Sequence, residues 1–232
     1  MMVANGCRQM ALGTIDQREK DFFKDAPRTI DMYSDPTCRL LAVHILVTET
    51  ANSAVMTQIE NWDNTIRDFK ARILEEGLSK LACEPRKQPL ALQVALAALA
   101  SLEPERVKSE VRAVVPELLE HSNFYLGSGI PALGWEIRTF LARFFPEVLG
   151  PSPLKTGLPA TVNNRSLLLE YVDAVVGEVD EETKLGYLQE ALEDIENEGP
   201  DSNAHLLIVE RLIQHTKGTS ASVIPQEQTD TC

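Results

Sequence analysis

Between residues 53 and 81 there is no proline, and Ile59, Trp62, Ile66, Phe69, Ile73, Leu74, Leu78 and Leu81 return at intervals that fit one helix face. A helix lines one side with apolar groups at that period, whereas a half-buried strand alternates at every second residue. The spacing predicts one long helix, with a break near Gly77. Almost every other apolar stretch keeps the same period, and no convincing series of alternating strands competes with it. The fold class expected is therefore all-α, either a stack of helical hairpins or an irregular multi-helix bundle.

Breaker residues divide the pattern. A short helix is expected after Thr14, where Gln17 completes a capping box, and Pro27 is expected to close it. Asp35-Pro36 is a helix start, because Asp caps free amides and Pro is tolerated at the first helical position. The residues that follow, including Cys38, Leu41, Ile45, Leu40, Val43, Leu46 and Val47, are apolar on nearly all sides, which predicts a buried helix. Residues 89–102, the junction at Glu103-Pro104 and a helix carrying Val107, Val111, Leu118 and Leu119 should form an antiparallel hairpin. Residues 124–134 read as a Gly/Pro loop, and Trp135, Ile137, Phe140, Leu141, Phe144 and Phe145 as a core-facing stripe. The expected organisation is an N-terminal extension with a short helix (1–34), a repeat-like core (35–149), a Pro/Gly-rich connector (150–164), acidic C-terminal helices (165–217) and a disordered tail (218–232). Within the acidic part, helices are expected over about 165–177, 181–197 and 201–215.

The middle of the chain carries a resemblance. Val114-Val115-Pro116-Glu117-Leu118-Leu119 resembles the Pro-Leu-Leu portion of a HEAT-repeat first helix. Glu136-Ile137-Arg138, with Ala142 and Phe145, resembles the Val-Arg-x-x-Ala pattern of its second helix. Residues 104–149 are thus similar to HEAT or armadillo repeats, although their turn is long and lacks the usual Asp. The resemblance implies an α-solenoid that binds proteins and performs no chemistry.

The 232 residues are 44% hydrophobic, enough for a core that needs no disulfide staples. With 22 basic against 35 acidic residues the formal charge is −13, which argues against holding duplex nucleic acid across the general surface. Residues 90–102 are free of charge but shorter than the ~20 needed to cross hydrocarbon, and no membrane insertion is expected. The N-terminus lacks the pattern of a secretory signal. Cys7, Cys38, Cys83 and Cys232 form neither a Cys-x-x-Cys pair nor a zinc pattern, so a reducing compartment, cytoplasmic or nuclear, is expected. In that setting the sequon at Asn164 reads as a helix start.

Enzyme signatures fail on geometry. His205 and His215 are too far apart for a His-Glu-x-x-His metal site, Gly127-Ser128-Gly129 lacks the lysine of a phosphate loop, and no Gly-x-Ser-x-Gly elbow exists. Asp194, Glu196, Glu198 and Gly199 resemble the opening of an EF-hand loop, but the twelfth position is His205 where a bidentate Glu is required. His44 lies among Leu, Val and Ile and reads as a hydrogen-bonded core residue, and His121 as a residue near a helix end. No catalytic residue, cofactor or metal is expected.

Charge distribution is the best functional lead. Residues 163–201 hold 2 basic and 12 acidic residues, and Glu178, Asp180, Glu181, Glu182, Glu190, Glu193 and Asp194 are the candidate surface for a basic protein partner. Residues 65–112 hold nine basic and seven acidic residues, and the alternative is a nucleic-acid-associated helical repeat using Arg67, Lys70, Arg72, Arg106, Lys108 and Arg112. In the tail, Pro225, Glu227 and Asp230 resemble a peptide read by TRAF-type adaptor domains, and Asp230-Thr231-Cys232 loosely resembles a PDZ ligand.

Overall fold

The computed structural model describes residues 17–50, 56, 59, 61–82, 88–128, 130–151, 153–154, 165–177, 179–198 and 206–214. Within them the chain is all-α, with helices, short 3-10 turns and no strand. It forms two compact units, Met1–Gly129 and Ile130–Cys232.

In the first unit, α1 (Gln17–Asp31) turns Phe23, Ala26 and Ile30 into the core at i, i+3 and i+7. Pro27 lies inside this helix and does not end it. One missing amide is outweighed where the flanking residues bury their side chains, and α1 closes instead at Asp31, just beyond which the Tyr33 amide donates to the Ile30 carbonyl at 3.1 Å. Asp35 starts α2 (Pro36–Thr50), its carboxylate accepting the amides of Thr37 at 2.6 Å and Cys38 at 3.0 Å. The helix buries Leu40, Val43, Leu46 and Val47 on one side, while Leu41 and Cys38 are exposed. The expectation of burial all round therefore holds only for its inner side.

The next helix, α3 (Trp62–Ala82), starts three residues after Ile59, the first residue of its apolar period. Asn61, at φ 59°, supplies the reason: a left-handed residue cannot continue a helix, and its carbonyl accepts the Thr65 amide as the first helical bond. No break occurs at Gly77. There α3 meets α4 (Pro89–Ala100) so closely that a Cβ on Gly77 would lie 3.0 Å from Leu99 Cγ. Gly77 is the gap through which the two helices approach. Around that contact α2, α3 and α4 pack on one another, with Ile73, Leu92, Ala95, Ala98 and Leu99 almost wholly buried.

The partner expected for α4 was the following helix, but its main contacts are with α2 and α3. The helix after it is also split, into α5 (Pro104–Val111), a 3-10 turn (Arg112–Val114) and α6 (Val115–Leu126). Pro116 cannot donate to the Arg112 carbonyl, which accepts the Val115 amide in a 3-10 bond instead. Phe124 belongs to α6, so the loop expected over 124–134 shrinks to the few residues between Leu126 and Pro131.

The second unit begins with α7 (Pro131–Phe144) and a 3-10 turn (Pro146–Leu149). Its other helices are α8 (Arg165–Gly177), α9 (Glu181–Glu198) and α10 (206–214). Helices α7 and α8 pack through Trp135 and Tyr171, whose ring centroids are 5.1 Å apart, and the Tyr171 hydroxyl donates to the Pro153 carbonyl at 2.9 Å. Burial pushes the Tyr171 phenol up to about 12, which keeps it a neutral donor. Arg138 lies over the Trp135 ring at 5.8 Å, and Arg211 of α10 reaches Asp173 of α8 at 2.8 Å. Because α7 belongs with α8, the two compact units divide between Gly129 and Ile130, whereas the sequence placed its connector at 150–164. The stretch 104–149 that resembles a HEAT repeat therefore spans parts of both units. The tail 218–232 and its two peptide resemblances lie outside the described residues.

Candidate functional site

The acidic residues of the second unit do different work. Asp180 is the N-cap of α9: its carboxylate accepts the amides of Glu182 at 3.1 Å and Thr183 at 2.9 Å, and the Thr183 hydroxyl at 2.7 Å. The bond from the Thr183 amide is the main reason its carboxyl ionises below the usual aspartate range. Asp180 thus holds a helix terminus together. A sequence signal for this existed, since an Asp before Glu-Glu and an apolar period is a helix start. Glu181 pairs with Lys184 one turn on, at 2.7 Å.

Glu182, Glu190 and Glu193 are exposed along α9. At 100° per residue they fall within about 80° of one another, spread over about 16 Å of helix length. Gln189 is exposed near them, and at Gly186 an added Cβ would meet nothing within 4 Å. The structure thus brings three of the seven acidic candidates to one open side. Asp194 is in the same helix, and Glu178 lies outside the described residues.

The basic candidates are partly engaged within their own unit. Lys70 of α3 pairs with Glu103, whose carboxyl is held below its usual range chiefly by that hydrogen bond. Arg72 reaches Asp31 of α1 at 3.0 Å and Glu76 at 3.5 Å, and Lys108 reaches Glu105 at 3.6 Å. Arg67 and Arg112 are exposed and Arg106 is half-buried. Three of the six cations already face carboxylates, which reduces the field they offer a phosphate backbone.

His44 is half-buried on α2, and desolvation lowers its basicity. Its ring Nδ1 is 3.4 Å from the Thr48 hydroxyl, which also donates to the His44 carbonyl at 2.9 Å. His121 lies in the middle of α6 rather than near its end. Residues 194–198 are helical, not the loop an EF-hand requires, while 199–205 lie outside the described residues. Among the described residues no group of His, Cys, Asp or Glu could hold a metal ion, and no helix is long and apolar enough to cross a membrane. Cys38 is a free, exposed thiol; Cys7, Cys83 and Cys232 lie outside the described residues.

Compared with family models, with curated proteins and with solved structures, the chain matches none.

Proposed function

We propose that this chain is a non-catalytic helical scaffold or adaptor of the cytoplasm or nucleus that binds a basic protein partner through the outer side of α9. The observation that carries this reading is the exposure of Glu182, Glu190 and Glu193 on one side of α9, whose start is capped by Asp180 and where Glu181 pairs with Lys184. Charge partition supports it. The unit Ile130–Cys232 has 7 basic against 17 acidic residues, and Met1–Gly129 has 15 against 18. Such a field steers and selects basic partners more than it adds raw affinity. The resemblance of 104–149 to HEAT or armadillo repeats belongs to the same proposal. The nucleic-acid reading has less support, because Lys70, Arg72 and Lys108 are already in ion pairs.

A photocrosslinking residue at position 189 tests the reading, with one at position 67 as reference. Crosslinks to lysine- or arginine-rich protein segments are expected from 189. They should disappear in the double variant Glu182→Lys/Glu190→Lys. Equal crosslinking from both positions, or crosslinks that survive the charge reversal, would sink the proposal.

A further inference from the structure

Gly186 sits inside α9, away from both of its ends, and its backbone has the ordinary helical hand, so no left-handed turn requires a glycine there. A glycine in a helix interior destabilises it relative to alanine, because more backbone freedom is lost on folding. At Gly77 the fold explains that loss, since Leu99 occupies the space a side chain would take. At Gly186 no described residue does: an added Cβ would meet nothing within 4 Å.

The position is the middle of the acidic side. Gly186 lies about 40° around the helix from Glu182 and from Glu190, about 20° from Glu193, and about 6 Å along the axis from each of the first two. Leu188 and Ala191 are buried on the opposite side. The acidic stripe therefore has a bare floor of backbone, with an exposed carboxylate one turn above it and another one turn below. A missing side chain lets a second backbone come close, and the distance between two crossing helices is set by the side chains at their contact. Close approach at Gly186 brings Glu182 and Glu190 within reach of lysine or arginine on the incoming element, and their charge selects a basic one. That element is a helix rather than an extended strand, because the amides inside α9 are bonded within the helix and leave a strand no backbone partner.

We propose that α9 receives a basic helix of a protein partner that crosses it at Gly186, with a small residue at the crossing point and lysine or arginine one turn to either side. The inference rests on the function proposed for α9 and adds the partner's shape to its charge. The probe is a synthetic alanine-rich helix of about 18 residues, long enough to hold its fold, with lysines one turn on either side of a central alanine. Its binding to the full chain is read by fluorescence anisotropy at physiological salt. Gly186→Leu should weaken binding at least tenfold while raising the thermal midpoint, because leucine is the better helix former and the position is open. A loss of binding in a more stable protein cannot come from misfolding. Ser79→Leu, exposed on α3, adds the same bulk elsewhere and should leave binding intact. A second peptide with leucine at its centre should bind the unaltered chain at least tenfold more weakly. Equal binding by Gly186→Leu and the unaltered chain, equal binding of the two peptides, or an equal loss in Ser79→Leu overturns the inference. If Glu182→Lys/Glu190→Lys then still abolishes binding, the acidic reading of α9 stands without it. A peptide that does not bind also overturns the inference, and crosslinking from position 189 judges the acidic reading separately.

Discussion

The two compact units of this chain solve the same packing problem with different chemistry. In Met1–Gly129, aliphatic side chains and alanines fill the contacts among α2, α3 and α4, and ion pairs such as Arg72 with Asp31 link separate helices at the rim. In Ile130–Cys232 the contact of α7 and α8 is made by aromatic rings, Trp135 against Tyr171, Phe140 and Phe144 of α7 also stack on each other, and the sequence of the unit carries a surplus of ten acidic residues. Small residues let helices approach, as at Gly77; a tyrosine ring buries more area and carries a polar handle, as at Tyr171. The first unit is built for close contact and near-neutral charge. The second carries an acidic surplus in its sequence.

The sharpest way to break this comparison is to empty each core in turn. Trp135→Ala should cost about 3–5 kcal/mol and Leu99→Ala about 2–5 kcal/mol, since each removes a side chain almost fully buried. Amide hydrogen exchange should rise in α7 and α8 for the first and in α3 and α4 for the second. If either variant speeds exchange equally in all four helices, the units are one cooperative body and the contrast between them fails.

A smaller effect contrasts two glycines of opposite kind. Gly77→Ala puts a methyl 3.0–3.3 Å from three Leu99 carbons, and overpacking at about 1–3 kcal/mol outweighs the roughly 1 kcal/mol gain in helix propensity. Gly186→Ala meets no atom within 4 Å, so only the propensity gain remains, about 1 kcal/mol. Thermal unfolding should therefore move down for the first variant and up for the second. Shifts of the same sign would mean that Gly77 is not the contact that sets the distance between α3 and α4.

The smallest expected effect is local and common to both units. Asp35 and Asp180 each ionise below the ordinary aspartate value of 3.8, because backbone amides hold their carboxylates. A depressed value means that each cap contributes above 3.8 and is lost as pH falls through the lower folded value. Amide exchange in the first turns of α2 and α9 should accelerate together as pH drops below 3.8, relative to the intrinsic rate. In Asp180→Ala, α9 should already be frayed at neutral pH and its relative protection insensitive to acid, with α2 unchanged. An α9 that keeps the acid response without Asp180 would assign the cap to another group.

Much of the architecture was legible in the residues, for reasons these experiments share. The all-α class followed from the apolar period, and Asp35-Pro36 and the bounds of α8 from local breaker chemistry. What was not legible depended on tertiary contact. Pro27 stays inside α1 because Phe23, Ala26 and Ile30 bury around it, and Gly77 does not break α3 because Leu99 fills the space a side chain would take. The acidic run of α9 could be counted from the sequence, but its division of labour could not. Only side-chain geometry separates Asp180 and Glu181, which hold the helix start, from Glu182, Glu190 and Glu193, which face outward.

Helix α4 has a consequence for how the cell would handle a damaged copy. It contains no charged residue, and seven of its twelve residues are buried where it packs on α2 and α3. Local opening of the first unit would release a charge-free apolar segment of a dozen residues, far more adhesive than anything the folded surface presents. Such a segment is what chaperones and aggregating partners capture, so the abundance of this protein would track the contact at Gly77 and Leu99 before it tracked any binding surface.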